Sequence, residues 1–347
     1  MMGITSNVRR LAGSLLLAGL WITLGACSEE PDVTIGLITK QEVNPYWVTM
    51  REVAEATAKD NNVTLLTATG TSDVDVESQK RALKEMVAKG AKGILIAPTS
   101  STELLPAIEA AREQGVIVIA VDTPVDPLDA VDAYFATDNE AAGRLVGQYA
   151  RVKATQMGIE PKIAMLDLAP GISSGELRHA GFLDGFGISE DDPAIVAMAD
   201  TEGDRKLGEA RMAEILAGHP DVNVIYTVNE PAALGALEAL KDAKVDLSRT
   251  ILVSIDGGCR AMKNAVRPGD IDATAMQFPE NMAREGVRAL ATAIRAGENL
   301  SGNLDTGVRL ITDDPAPGVK SNIQQFNRVL NIFYISHFLA ISYKVRS

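Results

Sequence analysis

Continuous apolar runs alternate with amphipathic stretches along most of this chain. Four runs rich in β-branched residues fall in the first half and four in the second: VTIGLIT (33–39), VTLLTAT (63–69), GILIAP (93–98), VIVIAVD (116–122), KIAMLDL (162–168), IVAMAD (195–200), NVIYTV (223–228) and TILVSID (250–256). Such runs are typical of strands buried on both faces of a parallel sheet, and the stretches between them suit crossover helices. The pattern predicts an α/β protein with two doubly wound parallel-sheet lobes and a boundary near residues 134–143.

The segment ahead of the first run has a different pattern, that of an export signal. Arg9 and Arg10 precede an apolar run over residues 11–24, which is too short to span a bilayer. The sequence LGAC (24–27) resembles the end of a bacterial lipoprotein signal. We therefore expect residues 1–26 to be a lipoprotein signal peptide and Cys27 to be lipidated, which would tether the mature chain to a membrane surface. The alternative is an ordinary signal peptide that happens to end near a cysteine.

The charge, the cysteine content and the missing motifs argue against a nucleic-acid partner, a disulfide, a cofactor and a metal. The formal net charge is −13, and an acidic protein repels phosphate backbones, so we expect no nucleic-acid partner. Only Cys27 and Cys259 are present. If Cys27 is lipidated, no disulfide forms, and the protein must be stabilised by a large core. Neither a P-loop nor an HExxH, CxxC or metal-spaced His/Cys pattern occurs, so we expect no cofactor and no metal.

Polar and aromatic side chains recur where the predicted strands end. The residues at these positions are Lys40, Asn44, Tyr46, Trp47, Thr99, Asp122, Thr123, Arg178, Asn229, Glu230, Asp256 and Gln277. Ligands of doubly wound sheets bind beyond the carboxyl ends of the strands. Planar carboxylates, amides and guanidinium groups form paired hydrogen bonds with hydroxyls, and aromatic rings cover C–H faces. The set therefore predicts a site for a small polyhydroxylated ligand, although Asn44 before Pro45 also fits a simple helix start.

Several motifs at these strand ends occur together in one known family. NPYW, IAPTS, VDTP, TVNEPAALGALEAL, SIDGG and ATAMQFPENMA, within residues 32–312, resemble in order and spacing the sugar-binding proteins of bacterial ABC importers, in the ribose-binding-like class of type I periplasmic binding proteins. The resemblance implies two Rossmann-like lobes joined by a three-stranded hinge, with a monosaccharide held between them. It also implies a periplasmic protein that acts as a monomer and delivers its ligand to a membrane ABC permease.

The resemblance also implies where the lobes divide. The N-terminal lobe would comprise residues 32–137 plus 278–305, and the C-terminal lobe residues 138–277 plus 306–325. Carried over by position, the ligand-binding residues would be Lys40, Asn44, Tyr46, Trp47, Asp122 and Thr123 from the first lobe and Arg178, Asn229, Asp256 and Gln277 from the second lobe and hinge.

The chain departs from ribose binders at Ala97, Gly203 and Ile255, where they carry an asparagine and two aromatic residues. Lys40 and the sequence DTP (122–124) are similar to the fructose-binding branch of the class. We therefore expect fructose, ribose or a close relative as the ligand.

Three other functions were weighed against sugar transport. GISSG (171–175) matches the nucleophile elbow of α/β hydrolases and would make Ser173 a nucleophile, but Ala169 and Pro170 separate it from the strand, and its base would have to be His219 or His337. A sugar-responsive repressor shares the two-lobed core but needs a helix-turn-helix where this chain has an export signal. A tethered sensor that presents the sugar to a signalling receptor fits the sequence as well as an importer component does.

The end of the chain does not continue the pattern. Residues 326–347 are rich in aromatic and basic residues and lack strand and helix alternation. We treat them as an atypical tail and assign it no function.

Overall fold

The computed structural model describes residues 33–321. The predicted signal peptide, the lipidation site Cys27 and the tail at residues 326–347 lie outside the described residues, so those expectations stay predictions.

The described chain forms twelve strands and nine α-helices. The strands are β1 (Val33–Thr39), β2 (Val63–Thr69), β3 (Gly93–Ile96), β4 (Ile117–Val121), β5 (Ala133–Ala136), β6 (Ile163–Asp167), β7 (Ile195–Asp200), β8 (Val224–Thr227), β9 (Ile251–Asp256), β10 (Ala273–Met276), β11 (Gly302–Asp305) and β12 (Arg309–Ile311). The helices are α1 (Pro45–Asp60), α2 (Val76–Ala88), α3 (Leu105–Arg112), α4 (Asn139–Met157), α5 (Ser173–Phe186), α6 (Arg205–Gly218), α7 (Glu230–Asp242), α8 (Cys259–Ala261) and α9 (Pro279–Ala296). All eight predicted apolar runs are strands.

The strands form two six-stranded sheets with the same plan. The first has the order β11-β5-β4-β3-β1-β2 and the second the order β12-β10-β9-β8-β6-β7. Every neighbouring pair is parallel except β10 and β12, which are antiparallel. We call each sheet with its helices a lobe. The predicted fold class, two doubly wound α/β lobes, is confirmed.

The chain passes between the two sheets three times. It leaves the first sheet after β5, returns after β10 through α9, and crosses again between β11 and β12. Thr306 at the last crossing donates its backbone N–H to the carbonyl of Ala136 beside the first crossing, at 2.8 Å. The first and last connecting segments therefore lie side by side, as a hinge requires.

Helices cover both faces of each sheet, so each lobe has a double-sided core. In the first lobe α1 and α9 pack on one face through residues such as Met50, Met282 and Leu290, and the other face packs against Leu83 and Ile108. In the second lobe Tyr149, Phe182 and Tyr226 belong to one cluster, and Met212 and Leu240 to the other. Within residues 33–321, no helix is both long enough and apolar enough to cross a bilayer.

Candidate functional site

The carboxyl ends of the two sheets border a buried cavity between the lobes. Eight of the ten predicted ligand-binding residues line it, together with three residues that were not predicted: Lys40, Asn44, Tyr46, Trp47, Asp122, Arg178, Asn229 and Asp256, with Asp73, Leu168 and Ser174. The other two predicted residues, Thr123 and Gln277, are buried and hydrogen-bond to the aspartates of the lining.

Two aspartates occupy matching positions in the two lobes. Asp122 directly follows β4, and Asp256 ends β9, the strand with the same place in the second sheet. Both have positive φ, 66° for Asp122 and 100° for Asp256. Non-glycine residues adopt such angles at an energetic cost, and aspartate and asparagine tolerate them better than most residues. At the ends of β4 and β9, the strained backbone turns sharply and places the aspartate carboxylate in the cavity.

Arg178 on α5 lies between these two carboxylates. Its Nη2 is 3.7 Å from Asp122 Oδ1, and its Nη1 is 3.7 Å from Asp256 Oδ1. Its Nε donates to Asn139 Oδ1 at 2.8 Å, and its Nη1 also donates to the carbonyl of Val228 at 3.1 Å. Burial alone lowers the pKa of this guanidinium, but the two carboxylates outweigh that effect and the pKa is raised. Arg178 therefore stays charged and links the lobes electrostatically.

Glycines set the position of α5, and with it that of Arg178. A Cβ on Gly143 of α4 would overlap the carbonyl oxygen of Arg178, and a Cβ on Gly181 of α5 would overlap the carbonyl oxygen of Glu140. The backbones of α4 and α5 thus pack in direct contact, which side chains at these positions would prevent.

The start of α1 supplies the aromatic wall of the cavity. Asn44 caps the helix by accepting from the N–H of Tyr46 at 3.0 Å, and Pro45 occupies its first turn. The rings of Tyr46 and Trp47 meet edge to face, with centroids 4.7 Å apart. The Tyr46 hydroxyl donates to Asp122 Oδ1 at 2.8 Å. Burial, and then the nearby Asp122, raises the pKa of Tyr46 well above its usual value, so this hydroxyl stays protonated.

Lys40, at the end of β1, faces the same wall. Its Nζ lies 5.6 Å from the centroid of the Trp47 ring and 4.0 Å from Asp122 Oδ2, and its side chain is buried. A desolvated ammonium over an indole gains a cation–π interaction. Asp122 therefore faces two cations, Lys40 and Arg178.

The amides of the site surround Asp256. Its Oδ2 accepts from Asn44 Nδ2 at 3.2 Å across the lobes, and its Oδ1 accepts from Gln277 Nε2 at 2.8 Å. Burial raises the pKa of Asp256 to about 6, although Arg178 opposes that rise. Asn229 caps α7 and donates from Nδ2 to the carbonyl of Gly203 at 3.1 Å.

Asp73 is the lining residue that the sequence reasoning missed most clearly. It lies in the loop after β2, and only 5% of it is exposed. Its Oδ1 has no hydrogen-bond partner among the described residues. Burial raises the pKa of Asp73, and Lys40 acts in the opposite direction. The rule that led to the other candidates, inspecting the residues after each strand, also applies to β2 and would have found it.

The lining offers hydrogen-bonding groups that protein atoms do not use. In the described part of the chain, Trp47 Nε1 and Asp73 Oδ1 of the lining are buried without partners, and so is Oε1 of Gln277, whose amide contacts Asp256 of the lining. One is a donor and two are acceptors, a set that suits hydroxyl groups. The space itself is small, because the region open to the centre of a water molecule measures about 10 Å³, enough for about one water.

Ser173 lacks the surroundings of a nucleophile. Its Oγ lies 2.6 Å from Ser101 Oγ and donates to the carbonyl of Pro124 at 2.8 Å. His219 follows the end of α6, and the ring nitrogens of His179 pair with Asp167 and Glu190. Among residues 33–321, no histidine hydrogen-bonds to Ser173, so a hydrolase triad is not formed there.

Comparison with known proteins agrees with this geometry. The model of the periplasmic binding protein domain matches residues 35–299. The ribose import binding protein of Bacillus subtilis is 27% identical over 314 residues, which covers 87% of this chain and 98% of that protein. The D-ribose/D-allose-binding protein of Pseudomonas aeruginosa is 28% identical over 329 residues, with 88% and 99% coverage.

Solved structures give the same result. The solute-binding protein of a carbohydrate transporter from Agrobacterium radiobacter, in complex with D-arabinose, superimposes with a TM-score of 0.74 at 26% identity and covers 82% of this chain and 95% of its own. The myo-inositol binding protein of Caulobacter gives a TM-score of 0.73 at 26% identity, with 81% and 93% coverage.

The matched region contains every residue of the cavity lining and ends before β11 and β12, the edge strands of the two sheets. These relatives are binding proteins of transport systems and not enzymes. The resemblance found in the sequence is confirmed, and this chain belongs to the periplasmic binding protein family.

Proposed function

We propose that this protein captures a neutral monosaccharide between its lobes and delivers it to an ABC importer. The observation that carries the proposal is the position of Arg178 between Asp122 and Asp256, beside the Tyr46 and Trp47 rings. Charged groups with fixed geometry form paired hydrogen bonds with sugar hydroxyls, and aromatic faces cover the C–H faces of the ring. Relatives with the same fold bind ribose, allose, arabinose and inositol.

The charges of the lining favour a neutral ligand over an anionic one. Three carboxylates, Asp73, Asp122 and Asp256, face two cations, Lys40 and Arg178. A sugar acid or sugar phosphate would add negative charge to a buried site in which carboxylates already outnumber cations, and like charges in a low-dielectric site repel strongly. Asp73 joins the predicted ligand-binding residues in this proposal, with its unpartnered Oδ1 as an acceptor for a sugar hydroxyl.

Lobe closure is part of binding in this proposal. A hexose has about a dozen non-hydrogen atoms and does not fit a space for about one water, so the lobes must separate to admit it. A dissociation constant near 1 μM needs about −8 kcal/mol. That is about −0.7 kcal/mol for each ligand atom, an efficiency that requires nearly complete burial.

The proposed choice of sugar rests on the resemblance at Lys40 and residues 122–124. Lys40 and DTP (122–124) support fructose, ribose or a close relative. Thr123 acts indirectly in this scheme, since its Oγ1 donates to Asp122 Oδ2 at 2.8 Å and orients that carboxylate.

The remaining assignments concern the cellular setting. We place the mature protein in the periplasm as a monomer, tethered through a lipidated Cys27, with residues 32–137 plus 278–305 and 138–277 plus 306–325 as the two lobes and a membrane permease as partner. A sensor that presents the sugar to a signalling receptor remains the second candidate. It predicts sugar binding without a loss of sugar uptake when the gene is deleted.

Calorimetric titration against ribose, fructose, allose, glucose and myo-inositol tests the proposal, with ribose 5-phosphate and gluconate as anionic comparators. We expect micromolar or tighter binding of at least one neutral sugar and none of the anions. Asp73→Asn should weaken that binding about tenfold, the effect of losing one hydrogen bond to a charged group. Asp60→Asn, on the exposed end of α1, is the matched control. No heat with any neutral sugar would contradict the proposal.

A further inference from the structure

Serine hydroxyls connect the lobes at one side of the cavity. Ser101 lies in the loop after β3 of the first lobe, and Ser173 is the first residue of α5 in the second lobe. Their Oγ atoms are 2.6 Å apart. We call this contact, with the backbone groups described next, the serine latch.

The latch combines side-chain and backbone hydrogen bonds. The N–H of Ser173 donates to Ser101 Oγ at 3.1 Å, and the N–H of Ser101 donates to the carbonyl of Gly171 at 3.1 Å. Ser173 Oγ also donates to the carbonyl of Pro124 in the first lobe at 2.8 Å. Four hydrogen bonds thus join the loops after β3 and β4 of the first lobe to residues 171–173 of the second lobe, and each must break when the lobes separate.

The latch is separate from the groups that face the ligand. Ser101 and Ser173 do not belong to the lining of the cavity, whereas their neighbours Thr123 and Ser174, whose hydroxyls are 3.0 Å apart, approach it. Arg178 with Asp122 and Asn44 with Asp256 also join the lobes. Those side chains line the cavity and must rearrange around a ligand, but the two serines need not.

We propose that Ser101 and Ser173 are positioning residues that set the balance between open and closed lobes, and thereby the affinity for every ligand by the same factor. The proposal rests on the proposed function. If ligand is retained only by the closed form, the apparent dissociation constant varies inversely with the closed fraction. A contact present only in the closed form therefore changes affinity without changing selectivity. GISSG then serves in lobe closure and not in catalysis.

Titration of Ser173→Ala and Ser101→Ala against two or more sugars of different affinity tests the proposal. Each substitution removes two of the four hydrogen bonds, so the dissociation constant should rise between about 3-fold and 10-fold. The factor should be equal for all sugars. In the double variant, the dissociation constant should rise by less than the product of the two single-variant factors, because both substitutions remove the same Oγ–Oγ contact. Ser189→Ala, an exposed serine in the loop after α5, should bind as the unchanged protein does.

A second measurement does not depend on any sugar. Spin labels at the exposed positions Glu113 and Ala180, one on each lobe, report the lobe separation in the ligand-free protein, with Cys27 and Cys259 replaced by serine. Ser173→Ala should lower the population with the short distance, and Ser189→Ala should not.

The outcomes separate the two proposals. An unchanged distance distribution together with an unchanged dissociation constant would overturn the latch. The latch would also be overturned if the increase in dissociation constant differed from one sugar to another, because such a difference would place Ser173 in contact with the ligand. If the unchanged protein binds no sugar, the proposed function fails, and the distance distribution alone decides for or against the latch.

Discussion

The two lobes have the same strand order and the same strained aspartate at the same strand end, yet the two carboxylates have different surroundings. Asp122 faces the cations Lys40 and Arg178, whereas Asp256 is surrounded mainly by amides and has Arg178 as its only ion-pair partner among the described residues. Each carboxylate is also contacted from the opposite lobe, Asp122 by Arg178 and Asp256 by Asn44. The same backbone geometry thus supports a carboxylate paired with cations in the first lobe and one paired mainly with amides in the second. Each lobe also supplies a side chain that contacts the aspartate of the other lobe.

Removing the shared cation should have the largest effect on this arrangement. Arg178→Ala leaves Asp122 and Asp256 buried without their common partner, and breaking a buried ion pair costs about 3 to 5 kcal/mol. We expect a loss of that size in the free energy of unfolding, measured by urea titration, together with loss of ligand binding. Arg178→Lys should not restore binding, because one ammonium cannot replace a planar group that reaches both carboxylates. Arg211→Ala, on the surface of α6, should change neither quantity by more than about 0.5 kcal/mol.

Neutralising each aspartate in turn tests the difference between the lobes directly. Asparagine tolerates positive φ, so Asp122→Asn and Asp256→Asn keep the backbone, remove the negative charge and replace one accepting oxygen of each carboxylate with an amide NH2. At pH 8 we expect Asp122→Asn to destabilise by about 3 kcal/mol, because Lys40 and Arg178 each lose one carboxylate partner, and Asp256→Asn by about 1 kcal/mol, because only Arg178 does. Urea unfolding of both variants measures this. Equal losses, or a larger loss for Asp256→Asn, would show that the lobes are electrostatically equivalent.

The pH dependence of stability should reflect the buried acids of the second lobe. Burial raises the pKa of Glu230 to about 7, and that of Asp272 to the same value. A raised carboxyl pKa means that the folded state holds protons the unfolded state has lost. The resulting stabilisation is complete below about pH 4, the unfolded value, and is lost as the pH rises through about 7.

Glu230→Gln isolates one of these groups. Its amide oxygen can still accept from the N–H of Gly258, as the Glu230 carboxylate does at 2.6 Å. Between pH 5 and pH 8 the unchanged protein should lose on the order of 2 kcal/mol more than the variant. Parallel urea titrations at the two pH values measure this difference, and identical losses would mean that Glu230 titrates normally.

The smallest expected effect is spectroscopic and belongs to the first lobe. Trp47 lines the cavity with its Nε1 unpartnered and Lys40 near its ring, and it is the one tryptophan among the described residues. Its emission should shift by a few nanometres when a sugar contacts the ring. Trp47→Phe should abolish the signal and keep part of the binding, measured by calorimetry. An emission unaffected by saturating sugar would assign Trp47 to the core alone.

The sequence predicts eight of the twelve described strands and most of the cavity lining, but not β5, β10, β11 and β12. Six of the eight predicted runs are largely buried on both faces, and the other two, β2 and β7, are partly exposed edge strands that keep an apolar sequence, so all eight give a strong signal. β5, β10, β11 and β12 have three or four residues and little β-branched character, and neighbouring strands rather than local preference determine them. The helix α9 precedes β11 in the chain but packs beside α1, and periodicity cannot show such a return.

Some features of the site also follow from the sequence, whereas others do not. Arg178 and Asp256 follow from strand-end positions, since parallel strands end at one edge of a sheet. The positive φ of both aspartates, the latch between Ser101 and Ser173, and the partners of Asp73 depend on contacts between segments far apart in sequence. No local pattern encodes those distances.

The return of α9 to the first lobe also affects the order in which the chain can fold as it is synthesised. Met282, Val287 and Leu290 of α9 complete one face of the first core, and β11 adds its edge strand. The second sheet can assemble through β10 once residue 276 has emerged, but the first lobe, although made earlier, stays incomplete until residue 305. The second lobe receives its own edge strand, β12, only with Arg309–Ile311, so neither lobe is complete until β11 and β12 have been synthesised.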